Sequence, residues 1–250
     1  MMKEYVSSEW IKHKRTFAIK LVILAPVITL LMNVFALMLY QQNAFNWLYV
    51  WLFPVFLTLL CTMFEQRDGG KLKYRSLIPL PIKLENAWIA KAIVILILDI
   101  IANFIFLGLN MLGGIAVYFI YEIPISISLF QAAAGIFCII VASIWEIPIC
   151  LWLSKKIGAF ATVVINAGIG SALGVIFANT KYWIFCPYSW MPRLMVPTIG
   201  ILPNGVPVSE EAGNLPVSLV MVILALLLSV ILFSALIRLG AKGFSRQEVR

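Results

Sequence analysis

The chain has 250 residues, of which 62% are hydrophobic and 12% charged, with a formal net charge of +8 and a mean hydropathy of +1.00. About half the charge content of a soluble domain, joined to apolar runs of about twenty residues, excludes an ordinary soluble enzyme and predicts an integral membrane protein. The length suits about six crossing helices and leaves no room for a separate nucleotide-binding or catalytic domain.

At the start, Tyr5, Val6, Trp10 and Ile11 mix with Lys3, Lys12, Lys14 and Arg15. A helix here would lie in the membrane interface, its lysines on anionic headgroups. The apolar run that follows is too long for a cleaved signal peptide. Six spans are drawn at about 17–40, 47–64, 88–112, 128–153, 158–178 and 216–239. They are continuous apolar runs, so they read as helices rather than strands of a barrel. The predicted fold class is an all-α integral membrane protein of six transmembrane helices preceded by an interfacial helix, in one domain over residues 1–250.

Residues 65–87 form the longest charged segment and read as a cytoplasmic loop. A helical turn or two across Lys71–Leu77, ended by Pro79 and Pro81, would offer Lys71, Lys73, Tyr74 and Arg75 to a cytoplasmic partner. The plainer reading of the same charges is a membrane anchor. With both termini cytoplasmic, all of the 19 Lys and Arg residues except Lys181 and Arg193 fall on the inner side. That asymmetry predicts the orientation and accounts for the +8 without nucleic acid.

The outer side has a different texture. Asn43–Asn46 reads as a tight link and 113–127 as a short apolar piece containing Glu122. Residues 179–215 carry five aromatic residues between Tyr182 and Trp190, and five prolines. That segment is too broken by proline to span and too apolar to float free. It predicts a cap over the helix ends, or a surface that meets an amphipathic substrate at headgroup depth. Glu122, Trp190, Arg193 and Asn204 are the candidate contacts there.

Chemistry is sparse. His13 is the only histidine and reads as polar flank, and Cys61, Cys138, Cys150 and Cys186 show no metal spacing. Gly69 and Gly70 make a joint, not a phosphate-cradling loop. No catalytic, cofactor-binding or metal-ligating residue is predicted, and an enzyme is not. Asp99 and Glu146 are acids inside predicted spans, and Asn103 shares a helix face with Asp99. Such acids mark a transport path or a polar clamp between helices. Gly170 and Gly174 form a small face for close helix packing, within the chain or between subunits.

Ser8–Phe17 leading into the first span, Phe45–Tyr49 entering the second, Lys73–Pro81 in the loop, and the external Ser189–Pro197 and Leu202–Gly205 resemble lantibiotic-immunity ABC transporter permeases, the self-protection type of epidermin, mutacin and nisin producers. The resemblance runs through nearly the whole chain. It implies a type-2 ABC exporter permease of the Gram-positive plasma membrane, with a coupling helix in the first cytoplasmic loop. It implies a separate ATPase subunit acting as a dimer, and a second permease, different or a second copy. The implied cargo is a lantibiotic peptide withdrawn from membrane lipid. The alternatives are an ABC permease for another hydrophobic drug or lipid, a proton-coupled carrier using Asp99 and Glu146, and a structural scaffold.

Overall fold

The computed structural model describes residues 2–70, 74–75, 77–209 and 215–246. Among these, helix is the only extended regular structure. In order, α1 is Met2–His13, α2 Phe17–Met32, α3 Tyr40–Trp47, α4 Phe53–Gly69, α5 Leu84–Tyr121 and α6 Leu129–Ser143. Then come α7 Glu146–Ile157, α8 Ala159–Val163, α9 Ser171–Ala178, α10 Pro187–Ile199 and α11 Leu219–Ser245.

Among the described residues, five helical stretches are long and apolar enough to cross a membrane: Phe17–Phe35, Leu37–Gly69, Leu84–Tyr121, Ala159–Ala178 and Leu219–Ser245. A sixth arises if α6 and α7, bent by 42° at their junction, are one broken span. The bend has a local cause. Pro148 has no N–H to offer the Ile144 carbonyl one turn back, and the ladder resumes only after an Ile147 N–H to Ile144 bond at 3.2 Å.

Several predicted boundaries move. Asn43–Asn46 is not a link but part of α3, which runs into α4 through a π-helical stretch, Leu48–Leu52. Pro54, two residues past that stretch, lacks the N–H that would bond the Val50 carbonyl, so the helix widens there rather than stopping. The third span, predicted as 88–112, extends to the 38 residues of α5. At 1.5 Å per residue that is about 57 Å, well beyond a hydrocarbon layer of ~30 Å. Residues 113–121 of the supposed outer piece are therefore helix, and Glu122 ends it in the left-handed region at φ 57°. At its other end, α4 carries the charged segment in helical form as far as Gly69.

The core lies where α4 packs on α7, α2 on α5, and α10 between α9 and α6. Helix α10 comes from the proline- and aromatic-rich segment 179–215 and folds back against the bundle. Its 13 residues are too few to span, and most are buried. Gly170 and Gly174 let α10 approach: a side chain at 174 would begin 2.6 Å from the Tyr188 carbonyl oxygen. The small face therefore serves packing inside the chain. Helix α11 lies on α5 and α6 with most of its surface outward, as a lipid-facing helix requires.

Candidate functional site

Two polar clusters stand out in this apolar frame. The first joins α1, α4 and α5. Glu65 and Asp68 are three residues apart on α4 and so share a face, which points at Lys91 on α5. Lys91 is 2% exposed, and its Nζ lies 3.0 Å from Glu65 Oε2 and 3.0 Å from Asp68 Oδ2. An ammonium buried this deeply is tolerated only with such partners. Asp68 also receives Lys12 of α1 at 3.2 Å, and Lys12 in turn holds Glu9. The sequence reading placed the α1 lysines on lipid headgroups; for Lys12 the carboxylates of α1 and α4 take that place.

His13 is not polar flank either. It is buried and stacked on Phe64, ring centres 3.6 Å apart. Burial pulls its imidazole down to about 4 from the usual 6.5, although Asp68 works in the other direction. Burial likewise raises the Glu9 carboxyl, against the pull of Lys12.

The loop joins this cluster through Tyr74, which adopts φ 61°. The Tyr74 hydroxyl donates to Glu65 Oε1. Its ring meets Phe244 of α11 edge-on at 5.4 Å, and the Lys155 ammonium of α7 sits over both rings, at 5.6 Å and 4.6 Å. Phe244 also touches Trp88 of α5 at 5.3 Å. One loop side chain thus connects α4, α5, α7 and α11. Of the other predicted coupling residues, Arg75 is exposed beside it, while Lys71 and Lys73 lie outside the described residues. A groove of about 590 Å³ opens between α1, the α4 end and the turn at 77–82, edged by Glu4, Glu9, Arg67 and Pro81.

The second cluster lies midway along the bundle. Glu146 Oε2 accepts from Asn166 Nδ2 at 2.8 Å; the same nitrogen donates to Thr58 Oγ1 at 2.9 Å, and the Tyr188 hydroxyl donates to Asn166 Oδ1 at 2.9 Å. Asn166 therefore ties α4, α7 and α10 together. Asp99 Oδ1 accepts from Asn103 Nδ2 at 3.0 Å, so the four-residue spacing brings that pair into contact, and Asp99 Oδ2 has no partner among the described residues. Asp99 and Glu146 stand close enough for their charges to interact, with Cys61 beside both. Among the described residues neither acid has a cation partner, and no group of three His, Cys, Asp or Glu side chains could hold a metal ion.

The four outer candidates separate. Glu122 and Asn204 are exposed. Trp190 and Arg193 are 3% and 7% exposed and face inward. Trp190 Nε1 donates to the Ile184 carbonyl at 2.8 Å, and an Arg193 guanidinium N–H donates to the Ala178 carbonyl at 2.8 Å, capping the end of α9. They fasten α10 in place.

Sequence reading missed the partners rather than the extremes. Glu65 and Asp68 were left within the charged loop segment, Lys91 was counted only among the inner-side basic residues at the start of the third span, and Asn166, Thr58 and Tyr188 were not singled out. One signal was available: Lys91 interrupts an apolar run, where a lone lysine calls for a carboxylate within reach.

These features define a multi-pass helical membrane protein with a charged junction at one end of the bundle and a buried polar core. Residues 5–173 match the family described as ABC-2 family transporter protein. That stretch is more than half of the chain, and the protein belongs to this family. It is accordingly the membrane transport subunit of an ABC transporter, not itself catalytic, and it pairs with an ABC ATPase subunit. No curated protein and no solved structure matches it.

Proposed function

We propose that the chain is one permease of an ATP-driven exporter that withdraws lantibiotic or other cationic antimicrobial peptides from the plasma membrane of a Gram-positive cell. Membership of the ABC-2 family supports the exporter half of this reading, and the resemblance of Ser8–Phe17, Lys73–Pro81 and Ser189–Pro197 to lantibiotic-immunity permeases supports the cargo. The proposed arrangement has six spans, both termini cytoplasmic, α1 at the inner interface, and a second permease, different or identical, beside this one over an ATPase dimer.

The observation that carries the mechanism is the position of Tyr74. When the ATPase subunits close, the segment containing Lys71, Lys73, Tyr74 and Arg75 is displaced. Tyr74 passes the movement to α4 and α5 through Glu65 and Lys91, and to α7 and α11 through Lys155 and Phe244. Charge pairs and edge-on rings suit this task because they have discrete alternative partners, so a small push selects between arrangements. On the outer side, Glu122 would attract a cationic peptide and Asn204 would hydrogen-bond it. Trp190 and Arg193 would hold α10 as the rigid support beneath.

The test is sensitivity of a susceptible Gram-positive strain to nisin-type lantibiotics. The strain expresses this chain with its ATPase and partner permease, beside the same set with an inactive ATPase. Protection that disappears with the inactive ATPase is the expected result. An assembled complex that protects against no lantibiotic would overturn the cargo assignment. Protection that survives ATPase inactivation would overturn the ATP-driven mechanism.

A further inference from the structure

The structure contains a second groove, of about 480 Å³, formed by α7, α11 and the start of α5. Its walls are apolar, and two features fix its character. Lys155 and Lys156 stand at one end of it, the last basic pair of α7. Trp152, 49% exposed one turn earlier, stands beside them as an amphipathic ring.

The groove is shaped by glycine. Gly240 and Gly243 put no side chain into it. At 240 a side chain would begin 2.7 Å from Trp88 Nε1, whereas at 243 there is open space with nothing within 4 Å. Trp88 Nε1 is buried and donates to no partner among the described residues. The groove also differs from the first one: among the described residues no carboxylate lines it, whereas Glu4, Glu9 and Asp68 edge the other. A cation would have no reason to enter here, and an anion with an apolar tail would.

We propose that this groove is a binding site for one anionic phospholipid. The phosphate rests on the ammonium groups of Lys155 and Lys156, with Trp152 at glycerol depth. The upper acyl chains pass Gly240, which packs on Trp88, and fill the space that Gly243 leaves open on α11, and the remainder continues along its outward face. Basic pockets between helices at one membrane surface bind anionic headgroups in this way. The site sits on Lys155, whose ammonium covers Tyr74 and Phe244, so a bound headgroup draws on the same side chain that ties the loop to α7. An anionic lipid would thereby stabilise one arrangement of the coupling junction. The lipid site itself does not depend on what the exporter transports.

Native mass spectrometry of the permease, purified with its ATPase and partner subunits and titrated with phosphatidylglycerol or phosphatidylcholine, tests this directly. One phosphatidylglycerol should be retained in preference to phosphatidylcholine by roughly 30-fold, the factor two lysine–headgroup contacts supply. Lys155→Gln with Lys156→Gln should abolish the preference while leaving weak retention of both lipids. Gly243→Leu, which fills space without a clash, should reduce retention of both. Equal retention of the two lipids by the native chain would overturn the proposal, and so would an undiminished preference in the lysine double variant. Efficient crosslinking of Gly243→Cys to another permease chain in membranes would overturn it too, by assigning the groove to a protein neighbour.

Discussion

At the end of the bundle near Tyr74, each buried charge has its opposite: Lys91 between Glu65 and Asp68, Lys12 between Asp68 and Glu9. Halfway along, Asp99 and Glu146 are similarly buried, and the hydrogen-bond partner of each carboxyl is a neutral amide rather than a cation. The contrast shows two uses of polarity in a membrane protein. Paired charges at the end lock three helices together while remaining able to exchange partners. The unpaired acids contribute shape and hydrogen bonds, and Asn166 rather than either carboxyl does the joining in that layer.

The sharpest way to break the comparison is to unpair the charged end. Lys91→Met leaves Glu65 with Tyr74 but no cation, and Asp68 with Lys12 alone. Removing one member of a buried pair costs about 3–5 kcal/mol. Thermal unfolding of the purified protein in detergent should show a loss of this size. Adding Glu65→Gln should recover most of the stability, because it removes the orphaned charge as well as its partner. The recovered double variant, reconstituted with its ATPase, should still hydrolyse ATP but transport poorly, since the route from Tyr74 to α5 has lost its charges. A double variant as unstable as Lys91→Met would show that the pair is not what holds α4 to α5.

How much of this was legible beforehand follows from what kind of signal each part leaves. Apolar runs report burial in lipid directly, so the helical membrane class was readable. The rest came from tertiary choices. Nothing local distinguishes the link at Asn43–Asn46 from the helix it forms, because part of what holds α3 comes from far along the chain: Gln41 Oε1, in its first turn, accepts the Ile127 N–H at 3.1 Å from the connection between α5 and α6. The aromatic segment of residues 179–215 contributes none of the candidate spans. Its apolar content served α10 packing on α9 and α6, with Trp190 and Arg193 spent on that task. Burial of Lys91 or His13 cannot be read from a charge count, since it depends on residues 26 and 51 positions away meeting them.

A second, smaller effect tests whether α1 belongs to the charged end. His13 stays neutral down to about pH 4 when docked, whereas a free histidine takes up its proton near 6.5. Between those values the undocked state binds a proton that the docked state refuses. Docking of α1 therefore weakens as pH falls from 6.5 towards 4 and is unaffected above that window. The full penalty is about 3 kcal/mol at the acid end. Glu9 acts in the opposite sense, since its raised carboxyl favours docking once protonated. Hydrogen-exchange protection factors over residues 2–13 of the reconstituted protein should fall between pH 7 and pH 4.5. In His13→Phe, which keeps a ring on Phe64, they should hold or rise, leaving only the Glu9 trend. An identical acid response in both proteins would mean that His13 is not the group responsible.

The smallest expected effect bears most on mechanism. Asp99→Asn keeps the volume and an acceptor for the Asn103 N–H. Glu146→Gln keeps the oxygen that Asn166 reaches. If these acids serve packing, each change should shift stability by no more than about 1 kcal/mol, the net worth of one hydrogen bond. ATP-driven transport should continue in both. A proton-coupled carrier makes the opposite demand: neither amide can take up and release a proton, so transport would stop while the assembled complex stayed intact. Transport by the reconstituted variants, with and without a collapsed proton gradient, decides between them. Loss of transport in either amide variant at unchanged thermal stability would move the driving step from the Tyr74 junction to the buried acids, and would make the paired end a structural brace.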